Sequence, residues 1–174
     1  MHFLPRRRAL IVVPVLILII FAIALFPLKR SYVFYDNRTE KLAGYLPLEE
    51  TDFQIKYIHS IHLSEVLESY KVLPDNRLKL VELEYEDFNI GMPSNAGEGE
   101  TFVEKDGKYF IKNMKRELAD FRLLVGDVDA GLYFLTGEKE FDLKKNLERG
   151  KSYTFRVQRL SAFQQLKGVK LNEQ

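Results

Sequence analysis

The stretch that decides the fold is "FQIKYIHSIHLSEVLESYKV", residues 53–72. Apolar residues recur at every second position, as in Phe53, Ile55 and Tyr57 near its start and Tyr70 near its end. A period of two is typical of half-buried β-strands, because successive side chains of a strand point to opposite faces. The stretch therefore predicts a β-hairpin with one buried face.

The same alternation continues through much of the chain. It recurs in "VELEYED" at 81–87 and in "YTFRVQR" at 153–159, and turn-forming dipeptides at 106–107 (Asp-Gly) and 149–150 (Arg-Gly) separate such runs. Short alternating strands between turn signals are typical of antiparallel all-β domains. We therefore expect an all-β fold, an antiparallel β-sandwich or a partly open barrel.

An uncharged apolar run, "ALIVVPVLILIIFAIALFPL" at residues 9–28, precedes the alternating region. A helix of this length measures about 30 Å, which is the thickness of a bilayer's hydrocarbon core. The run ends without the small-x-small site of a cleaved signal peptide, so we expect an uncleaved transmembrane signal anchor, with a cleaved signal as the alternative. The three arginines at 6–8 favour a cytoplasmic N-terminus. The sequence thus predicts a single-pass protein of the cell membrane with its C-terminal domain outside the cytoplasm.

These observations divide the chain into three parts. We expect residues 1–30 to form a cytoplasmic stub and the anchor, residues 31–160 to form the β domain, and residues 161–174 to form a C-terminal tail, either a short helix or a frayed end. Five of the 26 basic residues lie in the first part, which has no acidic residue, so residues 31–174 carry 21 basic and 25 acidic side chains. Such a balance argues against nucleic-acid binding. The absence of cysteine excludes disulfides and thiolate chemistry.

Histidine, serine and glutamate cluster at the centre of the deciding stretch. The hairpin is expected to place Tyr57 opposite Tyr70 and His59 opposite Glu68, with a connection at about 60–67. His59 and its neighbour Ser60 then point to opposite faces, so they do not form a nucleophile and base pair. We expect no catalytic residue, metal site or cofactor, and we expect His59 and Glu68 to form either a structural polar pair or part of a ligand pocket.

The positions around this cluster carry a family resemblance. They are Tyr57, His59, Ser60, Ser64, Val66, Glu68 and Tyr70, followed by Phe88, Gly91, Met92 and Pro93. With this pattern the sequence resembles the domain-of-unknown-function family 1850, a family of small extracytoplasmic prokaryotic proteins.

The resemblance implies an accessory role in transport and no enzymatic activity. Genes of this family commonly neighbour those of tripartite ATP-independent periplasmic (TRAP) transporters that use TAXI-class solute-binding proteins. We therefore expect the permease or the solute-binding protein as the partner. The alternative is a small-molecule binding domain with a pocket around His59, Glu68 and the 91–93 loop. The candidate binding residues are His59, Ser60, Ser64, Glu68, Tyr70, Gly91, Met92 and Pro93.

Overall fold

The computed structural model of the protein describes residues 6–59, 63–86, 93 and 95–173. Strand is the dominant secondary structure, as the alternating sequence predicts. The strands are β1 (Lys29–Asp36), β2 (Leu42–Pro47), β3 (Asp52–Ile58), β4 (Glu65–Val72), β5 (Leu78–Tyr85), β6 (Thr101–Lys105), β7 (Lys108–Leu118), β8 (Phe121–Val125), β9 (Leu132–Thr136), β10 (Lys139–Asp142), β11 (Lys151–Leu160) and β12 (Val169–Lys170). The helices are α1 (Arg6–Leu25), α2 (Leu143–Asn146) and α3 (Ala162–Lys167).

The strands form two sheets. One has five strands in the order β12-β2-β1-β11-β8, and the other has seven in the order β10-β9-β3-β4-β5-β7-β6. All pairings are antiparallel except that of the short β12 with β2. A mostly β fold with antiparallel-rich sheets is therefore confirmed.

A core of aromatic rings joins the two sheets. Tyr32 on β1 is fully buried, and its ring lies 5.2 Å from that of Phe53 on β3 and 4.9 Å from that of Phe134 on β9. Phe155 on β11 stacks on the other side at 5.9 Å. Because these rings come from both sheets, the sheets pack face to face as a sandwich.

Helix α1 covers most of the apolar run at 9–28. Between residues 12 and 25, the large apolar side chains whose burial is described are exposed, for example Leu18 at 67% and Phe21 at 61%. No helix in the described part of the chain is both long enough and apolar enough to span a membrane.

The C-terminal segment, predicted as a short helix or a frayed tail, contains helix α3 and strand β12 and packs against the five-stranded sheet. Ser161 caps α3, β12 pairs with β2, and Leu171 is 97% buried in the main core. The backbone N–H of Asn172 donates to Asn146 Oδ1 at 2.7 Å and so ties the end of the chain to α2. Residues 161–173 are thus part of the β domain.

The sandwich has two distinguishable ends. The proximal end is where α1 leads into β1, and there Lys29 pairs with Leu160. Arg30 donates hydrogen bonds to Leu73 O (3.1 Å) and Asn76 Oδ1 (2.8 Å), which places the β4–β5 turn at the same end. The β3–β4 connection lies at the other end of β4. We call that end distal.

Candidate functional site

The facing residues of β3 and β4 differ from the predicted pairs. Ile55 lies opposite Glu68, whereas the sequence predicts His59 opposite Glu68 and Tyr57 opposite Tyr70. The predicted register is therefore wrong by four residues. An even shift leaves every side chain on its original face of the sheet, so the predicted common face of these residues is confirmed.

A short hairpin connection accounts for the shift. The backbone N–H of His59 donates to Ser64 O at 2.9 Å, and that of Leu63 donates to His59 O at 2.9 Å. The strands therefore separate after His59 and rejoin at Ser64, not across a connection at 60–67. Leu63 has a φ of 55°, a left-handed conformation that is uncommon for a residue with a Cβ.

Glu68 is held on the inner face by a tyrosine hydroxyl. Tyr70, two residues further along β4, donates from Oη to Glu68 Oε2 at 2.6 Å. Burial, and then the negative charge of Glu68, raises the pKa of the Tyr70 phenol and of the nearby Tyr57 phenol above the usual value. Both phenols therefore stay protonated at neutral pH.

Ring packing fixes the direction of the Tyr70 hydroxyl. The Tyr70 ring stacks on Phe53 with centroids 5.0 Å apart and planes 5° from parallel. On its other side lies Phe121 of β8, at 5.3 Å. Since the ring is clamped between the two sheets, its hydroxyl has little freedom to leave Glu68.

Tyr57, His59 and Glu68 line a cleft between the sheets, which we call the distal cleft. It encloses about 360 Å³. Its other lining residues are Ile55, Ile58, Phe121, Arg122, Leu123, Leu124, Gly126, Val128, Ala130, Gly131, Leu132 and Lys144. Lys151 pairs with Val125 and Tyr153 pairs with Asp36, so the 126–131 loop follows β8 at the end of the sandwich opposite α1.

Basic groups complete the wall of the cleft. Arg122 projects from β8 and is exposed, while Lys144 belongs to α2 and donates from Nζ to Val128 O. The residues that line the cleft thus include one acidic residue, one histidine and two basic residues. Among the residues that the structure describes, no three His, Asp or Glu side chains are arranged to hold a metal ion.

The predicted binding residues are only partly brought together. His59 and Glu68 line the cleft, and the Tyr70 hydroxyl reaches it through Glu68. Ser64 is buried behind the hairpin connection. Pro93 is exposed, and its carbonyl accepts a hydrogen bond from Tyr85 Oη at a separate cluster of buried residues. Three predicted residues, Ser60, Gly91 and Met92, lie outside the described residues.

Sequence reasoning missed Arg122, Lys144 and the 126–131 loop. They come from β8 and from around α2, more than fifty residues from Glu68 along the chain. The spacing of these residues carries no motif, because the packing of one sheet over the other brings them to the cleft. Glycines at 126 and 131 are the only local signal, and they indicate a loop without indicating what it contacts.

The fold and the cleft together define a β-sandwich domain with a recess at the end opposite its N-terminal helix. The model of the family described as domain of unknown function DUF1850 matches residues 53–143, just over half of the chain. The chain belongs to this family, as the sequence pattern around His59 and Glu68 predicts. Every residue that lines the distal cleft except Lys144 lies within the matched segment. No curated protein and no solved structure matches the chain significantly.

Proposed function

We propose that this protein is a membrane-anchored extracytoplasmic accessory protein of a TRAP-type (TAXI) solute uptake system. In this proposal residues 9–28 cross the cell membrane once, and the β domain lies outside the cytoplasm. The protein acts without chemistry of its own, through contact with the permease or with the solute-binding protein. The uncharged run at 9–28 and the exposed side chains of α1 support the anchor. The family resemblance supports the partner.

The observation that carries the proposal is the position of the exposed apolar side chains. Among the described residues beyond Leu28, the exposed large hydrophobic side chains fall into two groups, one near the distal end and one on α3 and β12. The first group is Leu63, Leu124 and Val128, with 73%, 65% and 56% of their surfaces accessible, and we call it the distal rim. Exposed apolar side chains grouped on one part of a domain are typical of a protein-binding surface.

The direction of this rim fits an accessory role. Strand β1 has eight residues between its proximal and distal ends, which corresponds to about 26 Å at about 3.3 Å per residue. A domain anchored through α1 therefore presents the distal cleft roughly that far from the membrane. At that height it can meet a soluble binding protein that delivers solute to the permease.

A charged substitution in the distal rim tests the proposed contact with a partner protein. Leu124→Glu should reduce uptake of the transporter's solute and co-purification of the protein with its partner, because the new carboxylate must be desolvated in the contact. The matched control is Thr101→Glu, which adds the same charge on the exposed edge strand β6. Equal uptake and equal co-purification in both variants would contradict the accessory role.

The cleft itself favours a second candidate, a small-molecule binding domain. Its volume falls within the range of about 300–1,000 Å³ that is usual for ligand pockets, and Glu68 is already oriented there by the Tyr70 phenol. Calorimetric titration of the full chain with the transporter's solute separates the candidates. Tight binding that Glu68→Gln abolishes would establish the second function, whereas weak or absent binding is expected for the accessory role.

A further inference from the structure

Helix α3 is fixed firmly in place although none of its side chains is buried. At its start, the Gln164 N–H donates to Ser161 Oγ while the Ser161 N–H donates to Gln164 Oε1, a reciprocal capping box. Leu160 before it and Leu171 after it are both almost completely buried. The buried residues on both sides thus hold α3, which has about one and a half turns, in a fixed position at the surface.

The side chains that α3 presents outward are apolar. Phe163 and Leu166 are three residues apart and therefore share a face of the helix. They are 45% and 85% exposed. We call these two residues the proximal patch. A soluble surface rarely keeps large hydrophobic side chains this exposed and this close together unless something covers them.

The proximal patch adjoins the end of helix α1. Leu25 and Pro27 line the same surface recess as Phe163, and the guanidinium of Arg159 donates to Leu28 O at 2.9 Å. Leu25 and Leu28 are themselves exposed. The apolar end of α1 and the ring of Phe163 therefore adjoin across this recess.

The chain segment that carries the patch is basic. Residues 158–172 contain three basic side chains, Arg159, Lys167 and Lys170, and no acidic one. The ammonium of Lys167 lies 4.4 Å from the centre of the Phe163 ring, so its aliphatic stem follows the patch while its charge reaches the edge. An apolar face bordered by lysine and arginine complements the acyl chains and anionic headgroups at a membrane surface.

We propose that the proximal patch lies in the headgroup region of the bilayer, as a second membrane contact of the β domain beside α1. The inference rests on the membrane anchor of the proposed function. Phe163 and Leu166 insert at the headgroup and acyl boundary, and Lys167 and Lys170 pair with anionic lipid phosphates. The occupant is lipid and not protein, because the patch adjoins the apolar helix and its chain segment carries the charge that lipid headgroups complement.

The experiment uses the absence of tryptophan from the chain, which leaves no background emission. Full-length Leu166→Trp is reconstituted into vesicles of phosphatidylcholine and phosphatidylglycerol that carry bromine either near the top or near the middle of the acyl chains. The matched control is full-length Leu124→Trp, since Leu124 is also strongly exposed but lies at the distal end.

In the Leu166→Trp protein we expect a shift of the emission to shorter wavelength and quenching by both brominated lipids. The shallow bromines should quench more, because an interfacial side chain lies only about 5–10 Å deep. The Leu124→Trp protein should show neither effect. Equal emission from the two variants would overturn the proposal, and so would stronger quenching by deep than by shallow bromines.

These experiments distinguish a failure of the lipid contact from a failure of the proposed function. If Leu124→Glu leaves uptake intact while Leu166→Trp is quenched, the partner role fails and the lipid contact stands. If carbonate releases the chain from vesicles and the Leu166→Trp emission is unquenched, the anchor and the lipid contact both fail. Retention of the chain in vesicles without quenching overturns the lipid contact alone.

Discussion

Replacing Glu68 by glutamine should lower the free energy of unfolding by about 1–3 kcal/mol. The carboxylate accepts a hydrogen bond from Tyr70 Oη at 2.6 Å. Hydrogen bonds to a charged group contribute about 1.5–3 kcal/mol, and neutral ones about 0.5–1.5 kcal/mol. Removal of the charge therefore weakens this bond by roughly 1 kcal/mol, and the N–H groups of the new amide need hydrogen-bond partners of their own.

Thermal unfolding followed by circular dichroism measures this effect. A loss of about 1–3 kcal/mol lowers the Tm of a domain of this size by roughly 2–12 °C. The matched control is Glu65→Gln, because Glu65 lies on the same strand but on the opposite face, away from the two phenols. Its Tm should change by about 1 °C or less, as expected for a surface substitution.

A double-mutant cycle tests the cause. In the Glu68→Gln background, Tyr70→Phe should cost less than it does alone, because the bond it removes is already weakened. Equal Tm values for Glu68→Gln and the unsubstituted protein would refute the structural role of the carboxylate. If uptake is then lost as well, Glu68 acts in binding and not in folding.

Three further predictions concern other parts of the molecule. Leu171→Ala should cost about 2–5 kcal/mol in urea unfolding, since Leu171 is 97% buried, whereas a free tail would lose nothing. The backbone N–H groups of Thr39 and Arg38, together with Lys151, lower the pKa of Asp36 from 3.8 to about 2. The resulting stabilisation is complete above pH 3.8 and is lost as the pH falls from there towards 2. Asp36→Asn should therefore flatten the acid limb of a stability–pH curve and leave the alkaline limb unchanged. The chain should remain in the membrane pellet through alkaline carbonate extraction with residues 9–28 intact, and a soluble product that begins near residue 30 would contradict the anchor.

The sequence predicts on which face of a strand a side chain lies, but it does not predict which residues of two strands pair. Alternation correctly assigns Tyr57, Glu68 and Tyr70 to the inner face, because side-chain parity depends only on position along a strand. The register depends on where the hairpin closes. No Gly, Asn or Pro occurs between His59 and Ser64, and the left-handed residue there is a leucine, so no turn signal marks the connection.

Distant contacts are the other part that the sequence does not reveal. β12 has two residues, too few to show a period, and it is held by pairing with β2 and by the burial of Leu171. Arg122 and Lys144 likewise reach the cleft only because the sheets pack face to face. The β3–β4 residues of the candidate site could be predicted from local alternation. The opposite wall could not, because it depends on tertiary packing.

The place of β1 in the five-stranded sheet has a mechanical consequence. β1 begins four residues after α1 ends, and it has β2 on one side and β11 on the other. Tension along the helix therefore pulls β1 lengthwise between two antiparallel partners, and its interstrand hydrogen bonds, which run perpendicular to the strand, bear the load together in shear. A strand at the edge of the sheet would instead be peeled away one bond at a time. The domain therefore resists a pulling force that is applied through α1.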